Sequence, residues 1–225
     1  MEYQASLFDG GSEIGYAVRE INAKESYYFL LNIHYAKRIP SISYAYGLFW
    51  NGDLVGVVTY GTPPSSTLRS GVCGEEYISN VLELNRLVLL NNRQNEASLL
   101  ISKSLKLLPR KRVVVSYSDT AQDHFGTIYQ ATNWLYTGTS KPLYDYALKN
   151  STRHNYSIGD SVADAPNRAK ALKEKYGDDF YLKKRSLKHR YVTFTGTKMD
   201  KKILRRALRY KVSPYPKKSL ATAED

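Results

Sequence analysis

The sequence predicts a mixed α/β fold: a central, mostly antiparallel sheet with helices on both faces and a basic C-terminal extension. Three observations predict it. Apolar patterning switches between strand and helix periods in the order strand, helix, hairpin, strand, helix, strand, helix, strand. The run "RVVVS" at 112–116 carries three consecutive valines, which suits a strand covered on both faces. The formal charge of +12 is uneven: residues 1–150 hold 14 Lys or Arg against 13 Asp or Glu, while residues 151–225 hold 19 against 8. At 225 residues the chain can bury a sizeable core, as one large domain or one domain with an appendage. Residues 1–150 are read as the core, and 151–225 as a basic part continuing the same domain.

Each element has its own justification. "EIGYAVREI" reads as a strand, and Asn22 and Glu25 then have capping-box spacing, which opens a helix from about Ala23 to Ile33. Tyr27, Leu30 and Leu31 form its apolar stripe, and His34 and Tyr35 fall at its C-terminal end. "SYAYGLFW" and "LVGVVTYG" flank "NGD", a hairpin signal. Residues 62–80, rich in Pro, Ser and Gly, read as a loop. "NVLELNRLVLL" is a strand and "NEASLLISKSLKLLP" a helix with a proline stop. The valine-rich strand follows, then a short helix around "GTIYQATN", a strand at "WLYTG", a charged surface helix at 163–176 and a late strand at "HRYVTF".

Composition removes several function classes. No apolar stretch approaches the roughly 20 residues a bilayer-spanning helix needs, and no basic-then-apolar leader opens the chain, so a soluble intracellular protein is expected. Cys73, the single cysteine, can make neither an internal disulfide nor a zinc ribbon. In the last third, cations alternate with Tyr181, His189, Tyr191, Phe194 and Tyr210, the mixture that neutralises phosphates and stacks on bases. Lys183, Lys184, Arg185, Lys188, His189, Arg190, Arg205 and Arg206 are the candidate DNA contacts. The competing reading is a soluble, mutually repelling surface.

Polar chemistry begins where the buried strand ends, in "SYSDTAQDHFGTIYQATNW" at 116–134. Ligands favour the carboxyl ends of central strands, which singles out Ser116, Tyr117, Asp119, Asp123, His124 and Tyr129. A solvated strand-to-helix loop would carry the same residue types. Glu83 and Arg86, three apart on a strand, are placed on opposite faces. His34 and Asp119 are types that suit iron, but no contiguous ligand motif exists.

One architecture with this order of elements is the acyltransferase fold of the GNAT type. In that architecture the fourth strand splays from the fifth, and coenzyme A phosphates meet the backbone donors of the intervening helix. The junction here, "LVLLNNRQNEAS", lacks the pattern R/Q-x-x-G-x-G/A. The strings "HYAKRIPS", "GLFWNGDLVGVVTYGTPPS", "LELNRLVL", "NEASLLISKSLKLL", "SYSDTAQDHFGTIYQATNWLYTG", "KHRYV" and "SPYPK" resemble, in order, the Mom family of phage DNA-modification proteins. The resemblance implies a GNAT-like enzyme that adds a carbamoylmethyl group to the exocyclic amine of adenine in DNA, protecting phage DNA from restriction. It puts the family's Asp and Tyr at Asp119 and Tyr129, and its His and Tyr at His34 and Tyr35; Ser116, Tyr117, Glu83 and Arg86 are further pocket candidates. The implied partner is double-stranded DNA with a flipped adenine, in the bacterial cytoplasm during phage expression. The donor stays open between acetyl-CoA and a related molecule, iron stays an option, and a homodimer is one option for assembly. Two other readings compete: an acyltransferase acting on a small amine or a protein, and a catalytically silent phage DNA-binding protein.

Overall fold

The computed structural model describes residues 3–4, 15–109, 111–122, 124–151 and 155–217; Asp123 lies outside them. The strands are β1 (Tyr3–Gln4), β2 (Tyr16–Glu20), β3 (Tyr44–Trp50), β4 (Asp53–Gly61), β5 (Val81–Leu89), β6 (Val113–Asp119), β7 (Leu135–Thr139), β8 (Tyr144–Leu148), β9 (Phe180–Lys184) and β10 (Lys188–Phe194). The α-helices are α1 (Ser66–Cys73), α2 (Glu96–Leu107), α3 (Thr127–Ala131), α4 (Asn155–Asp160), α5 (Arg168–Tyr176) and α6 (Lys198–Ala207). Eight strands form one sheet in the order β1-β2-β3-β4-β5-β6-β10-β7, and β8 and β9 form a second, two-stranded sheet. The pairs from β1 to β5 are antiparallel, while β5 and β6 are parallel with α2 as the crossover between them.

Helices cover both faces of the large sheet, as the patterning requires. On one face, Leu100 and Ile101 of α2 and Tyr129 of α3 pack with Tyr46, Val58, Leu84 and Val114. On the other, Phe29 and Leu30 meet Phe49, Val57 and Val88, while Val72 and Leu204 meet Val81, Val113 and Val115. Successive valines of β6 thus enter opposite layers, and each fully buried aliphatic side chain contributes roughly 1.5–3 kcal/mol. Cys73 is buried and unpaired.

Two local expectations need correction. The segment at 62–80 is largely helical: after Pro63 and Pro64, the Ser65 hydroxyl accepts from Leu68 N at 3.1 Å to cap α1. A 3₁₀ turn, Glu75–Asn80, follows. Burial of Val72 and Cys73 against α6 is what orders a stretch whose composition reads as loop. Residues 23–33 are helical, with the Asn22–Glu25 capping box formed, but they wind as a 3₁₀ turn (Ala23–Ser26) and then a π turn (Phe29–Ile33). The change of pitch shifts the buried stripe to Phe29 and Leu30 and leaves Leu31 exposed.

The chain divides into two compact units: Met1–Ser118, His124–Gly138 and His189–Asp225 form the first, and Asp119–Asp123 with Thr139–Lys188 the second. In the second unit β8 and β9 pair antiparallel, and Ile158, Leu172 and Phe180 form its core. Asp145 pairs with Arg185, and Ser140 N donates to Lys188 O at 2.8 Å, which ties the ends of the excursion together. In the first unit the C-terminal segment lies along β7: Ser213 N donates to Tyr136 O at 2.9 Å, and the Tyr215 hydroxyl donates to Trp134 O at 2.8 Å.

Candidate functional site

The site is prepared by a bulge in β5. Thr59 stands opposite Arg86 and Tyr60 opposite Leu84, so Asn85 is an extra residue. Its amide is held on both sides, with Thr59 Oγ1 donating to Oδ1 at 2.6 Å and Nδ2 donating to Ser41 O at 2.8 Å. Gly61 permits this, because a Cβ there would lie 1.9 Å from Ser41 O. The extra residue inverts the strand's alternation, so Glu83 and Arg86 share a face. Their expected placement on opposite faces is therefore corrected, and Glu83 acts electrostatically on the Arg86 guanidinium.

Arg86 and the π turn bring further predicted residues into reach. The turn ends at His34, whose N–H donates to Phe29 O at 2.9 Å. His34 Nδ1 accepts from Ala36 N at 3.0 Å, which fixes the neutral ring with its proton on Nε2. Partial burial, and secondarily the charge of Arg86, lowers the His34 pKa to about 4. Tyr35 stacks on that ring at 4.4 Å between centroids and is 67% exposed, an open aromatic face on a neutral imidazole. Arg86 Nη1 donates to Asn85 O at 2.6 Å, but its buried Nε–H has no acceptor.

The parallel ladder between β5 and β6 ends at Glu83 opposite Val115, and beyond it the strands part. Side chains replace the next rung. Ser116 Oγ lies 2.8 Å from Leu84 O and 2.7 Å from Tyr129 Oη. A serine has one proton; given to the carbonyl, it leaves the Ser116 oxygen to accept from Tyr129. Tyr129 is 7% exposed, and burial above all raises its phenol to about 12, with Glu83 and Tyr35 adding to the effect. It is therefore a neutral donor at physiological pH. Gly126 opens α3 at φ +67°, where a Cβ would lie 2.4 Å from the Tyr191 ring, so the helix can sit close enough for Tyr129 to reach Ser116.

The remaining predicted residues are placed as follows. Asp119 is the last residue of β6, partly exposed, and its Oδ1 accepts from Ala121 N at 2.9 Å. Tyr117 packs into the α1–α6 layer, and burial raises its hydroxyl to about 12. His124 is exposed. Lys183, Lys184, Lys188, Arg205 and Arg206 are exposed, whereas Arg185 is engaged by Asp145. His189 is 9% exposed, and its Nδ1 lies 2.9 Å from the Tyr136 hydroxyl, so its ring belongs to the core rather than to a phosphate-facing surface. Arg190 donates to Thr137 Oγ1 and Thr137 O, both at 2.9 Å, and stacks over Tyr210 at 3.6 Å, so its fork is already filled. Among the described residues no three His, Cys, Asp or Glu side chains gather as a metal site, and no helix is long and apolar enough to cross a membrane. Of the two residues whose types suit iron, His34 has its Nδ1 committed to Ala36 N–H.

Sequence reasoning missed the bulge that joins Glu83 to Arg86, as well as Asn85, which pins it. The adjacent polar pair Asn85–Arg86 inside an otherwise apolar strand was the available signal.

The model of the Mom protein family matches residues 15–217. The methylcarbamoylase mom of Escherichia phage Mu is 27% identical over 226 residues, which cover 92% of this chain and 88% of that protein. Similar solved structures include a GNAT-family acetyltransferase from Streptococcus pneumoniae, 10% identical, covering 80% of this chain and 99% of that one with a TM-score of 0.42. Another is the ribosomal-protein-S5-alanine acetyltransferase from Vibrio fischeri, 8% identical, covering 87% and 97% with a TM-score of 0.43.

Proposed function

The chain belongs to the Mom protein family, and from that premise we propose that it is a transferase adding a carbamoylmethyl group to the exocyclic amine of adenine in phage DNA, which shields that DNA from host restriction. The observation that carries the reading is the gathering of His34, Tyr35, Glu83, Arg86, Ser116 and Tyr129 around the point where β5 and β6 part.

The adenine amine is a weak nucleophile, because its lone pair is delocalised into the ring. Its attack forms a bond from nitrogen to the donor's methylene carbon, while the leaving group departs with its electron pair and the nitrogen gives up a proton. The family resemblance, rather than any contact with those residues, assigns Asp119 as the acceptor of that proton. A base inside a duplex cannot reach any such group, so the adenine is flipped out; the exposed ring of Tyr35, backed by His34, offers it a stacking face. The unpartnered Nε–H of Arg86 suits the amide oxygen of the transferred group, since an unmet buried donor costs about 1–3 kcal/mol until a ligand fills it. No step is routed through iron.

DNA is held by cations that remain available. Lys183, Lys184 and Lys188 supply some in the second unit, and in the first unit Lys198, Lys201, Lys202, Arg205 and Arg206 lie exposed along α6. Helical steps of about 100° put those five on one arc, clear of the buried Leu204. The reaction would run in the bacterial cytoplasm, where phage DNA is replicated.

The test is mass spectrometry of nucleosides from DNA of cells expressing the protein. A new adenine-derived nucleoside is expected; unchanged nucleosides together with salt-sensitive DNA binding would instead favour a silent DNA-binding protein.

A further inference from the structure

The junction between β5 and α2 holds an anion of the chain's own. Asn95 enters α2 at φ +66° and gives the helix no side-chain cap. Glu96, the first helical residue, turns back: its carboxylate accepts from Arg93 N at 2.8 Å and from the Tyr16 hydroxyl at 2.7 Å. It is 2% exposed. The Arg93 guanidinium lies 5.5 Å from the Trp50 ring and the Tyr16 ring 4.4 Å from it, so the carboxylate sits within an aromatic and cationic surround. Tyr16 comes from β2, which means the carboxylate also ties that strand to the start of α2.

The local sequence gives this arrangement a meaning. The acyltransferase pattern R/Q-x-x-G-x-G/A has its first glycine three residues after the Arg or Gln, where the absence of a side chain lets a diphosphate approach the backbone amides. Arg93, Gln94, Asn95, Glu96, Ala97 and Ser98 keep only the Arg of that pattern, with Glu96 at the first glycine position and Ser98 at the second small-residue position. Glu96 stands in place of that glycine. A diphosphate arriving there would meet a Cβ and a buried group of its own sign, already bonded to one of the turn's amides. To bind, it would have to displace that carboxylate and leave it uncompensated.

We propose that Glu96 is a built-in anion occupying the diphosphate seat at the start of α2, and that this enzyme takes its group from a donor not held there by a coenzyme A diphosphate. The inference rests on the reading of the chain as a group-transfer enzyme. The residues at this junction do not fit coenzyme A, and the donor class they leave is a small molecule without a nucleotide diphosphate, or one whose diphosphate lies elsewhere.

The test is calorimetric titration of the full chain with coenzyme A and with pantetheine, which has the same thiol arm and no diphosphate. Added salt at about 0.3 M screens loose attraction of the diphosphate to the basic surface. The expected result is no preference for coenzyme A in the parent, and a preference raised several-fold in Glu96→Gln, where the like charge is gone. A parent that binds coenzyme A about ten-fold or more tightly than pantetheine overturns the proposal. So does an unchanged preference in a Glu96→Gln protein that keeps the parental melting temperature. Nucleoside analysis of cells expressing the same proteins separates the two ideas: modified adenine with tight coenzyme A binding removes this inference alone, whereas unmodified adenine removes the reading beneath it.

Discussion

Glu83 closes the β5–β6 ladder and Asp119 is the last residue of β6, and their substitution separates their roles. Asp119→Asn keeps the shape and the bond from Ala121 N but loses basicity, so modified adenine should vanish while DNA binding persists. A parental yield from that variant would transfer the proton-accepting role to another group, and Glu83→Gln is the comparison to make beside it. Tyr129→Phe deletes the hydroxyl that meets Ser116; it should lower the yield and cost about 1 kcal/mol of stability, read from a denaturant midpoint. His34 gives a pH dependence whose sign is fixed. Its folded pKa, about 4, lies below the unfolded value of 6.5. As pH falls through that window the unfolded chain takes up a proton that the folded chain refuses, so stability is lost on acidification. The melting temperature should fall between pH 6.5 and 4, and the fall should be shallower in His34→Gln. An equal fall in both proteins would show that the imidazole is not excluded from protonation. His189 is shifted in the same direction by burial, so the difference between parent and variant is the informative quantity.

At the scale of elements, the bulge in β5 is the feature on which the site depends most. Asn85→Ala removes both side-chain bonds that pin it and should cost roughly 1–3 kcal/mol by chemical denaturation. It should also reduce modification, because the alternation that pairs Glu83 with Arg86 would no longer be held. Unchanged stability would mean that backbone pairing alone sets the bulge. Much around it was legible in advance. Asn51–Gly52 marks the β3–β4 hairpin, helical spacing marks α2, and three valines mark a strand lined on both sides. These signals are local, and local rules suffice for them. The bulge was not legible, because it is specified by Thr59 and Ser41, distant in sequence. Helix α1 was hidden for a related reason: its composition favours a loop, and only contact with α6 rewards the helix. Ser116 and Tyr129 could be singled out from the sequence, yet the bond between them follows from strands parting, which no period in either strand reveals.

Across the whole molecule, charge and topology have separate consequences. Each cation that contacts a phosphate contributes about one unit to the slope of log affinity against log salt. Substituting Lys201, Lys202, Arg205 and Arg206 by Ala should flatten that slope by about two to four units and weaken binding at physiological salt. Charge reversal at Lys183, Lys184 and Lys188 tests the second unit in the same assay. A slope unchanged by both sets would place the DNA contact on another surface. The topology bears on how the protein is made. Strand β10 stands between β6 and β7 in the sheet, although β7 precedes it in the chain by the whole length of the second unit. During synthesis β6 and β7 therefore leave the ribosome without the strand that joins them, and β6 offers an open edge to any neighbouring nascent chain until the last third has been translated. A premature stop anywhere before β10 should yield an aggregated product bound by chaperones rather than a soluble, inactive one. Messages for this protein would be sensitive to truncation in a way that their catalytic residues, nearly all encoded earlier, would not suggest.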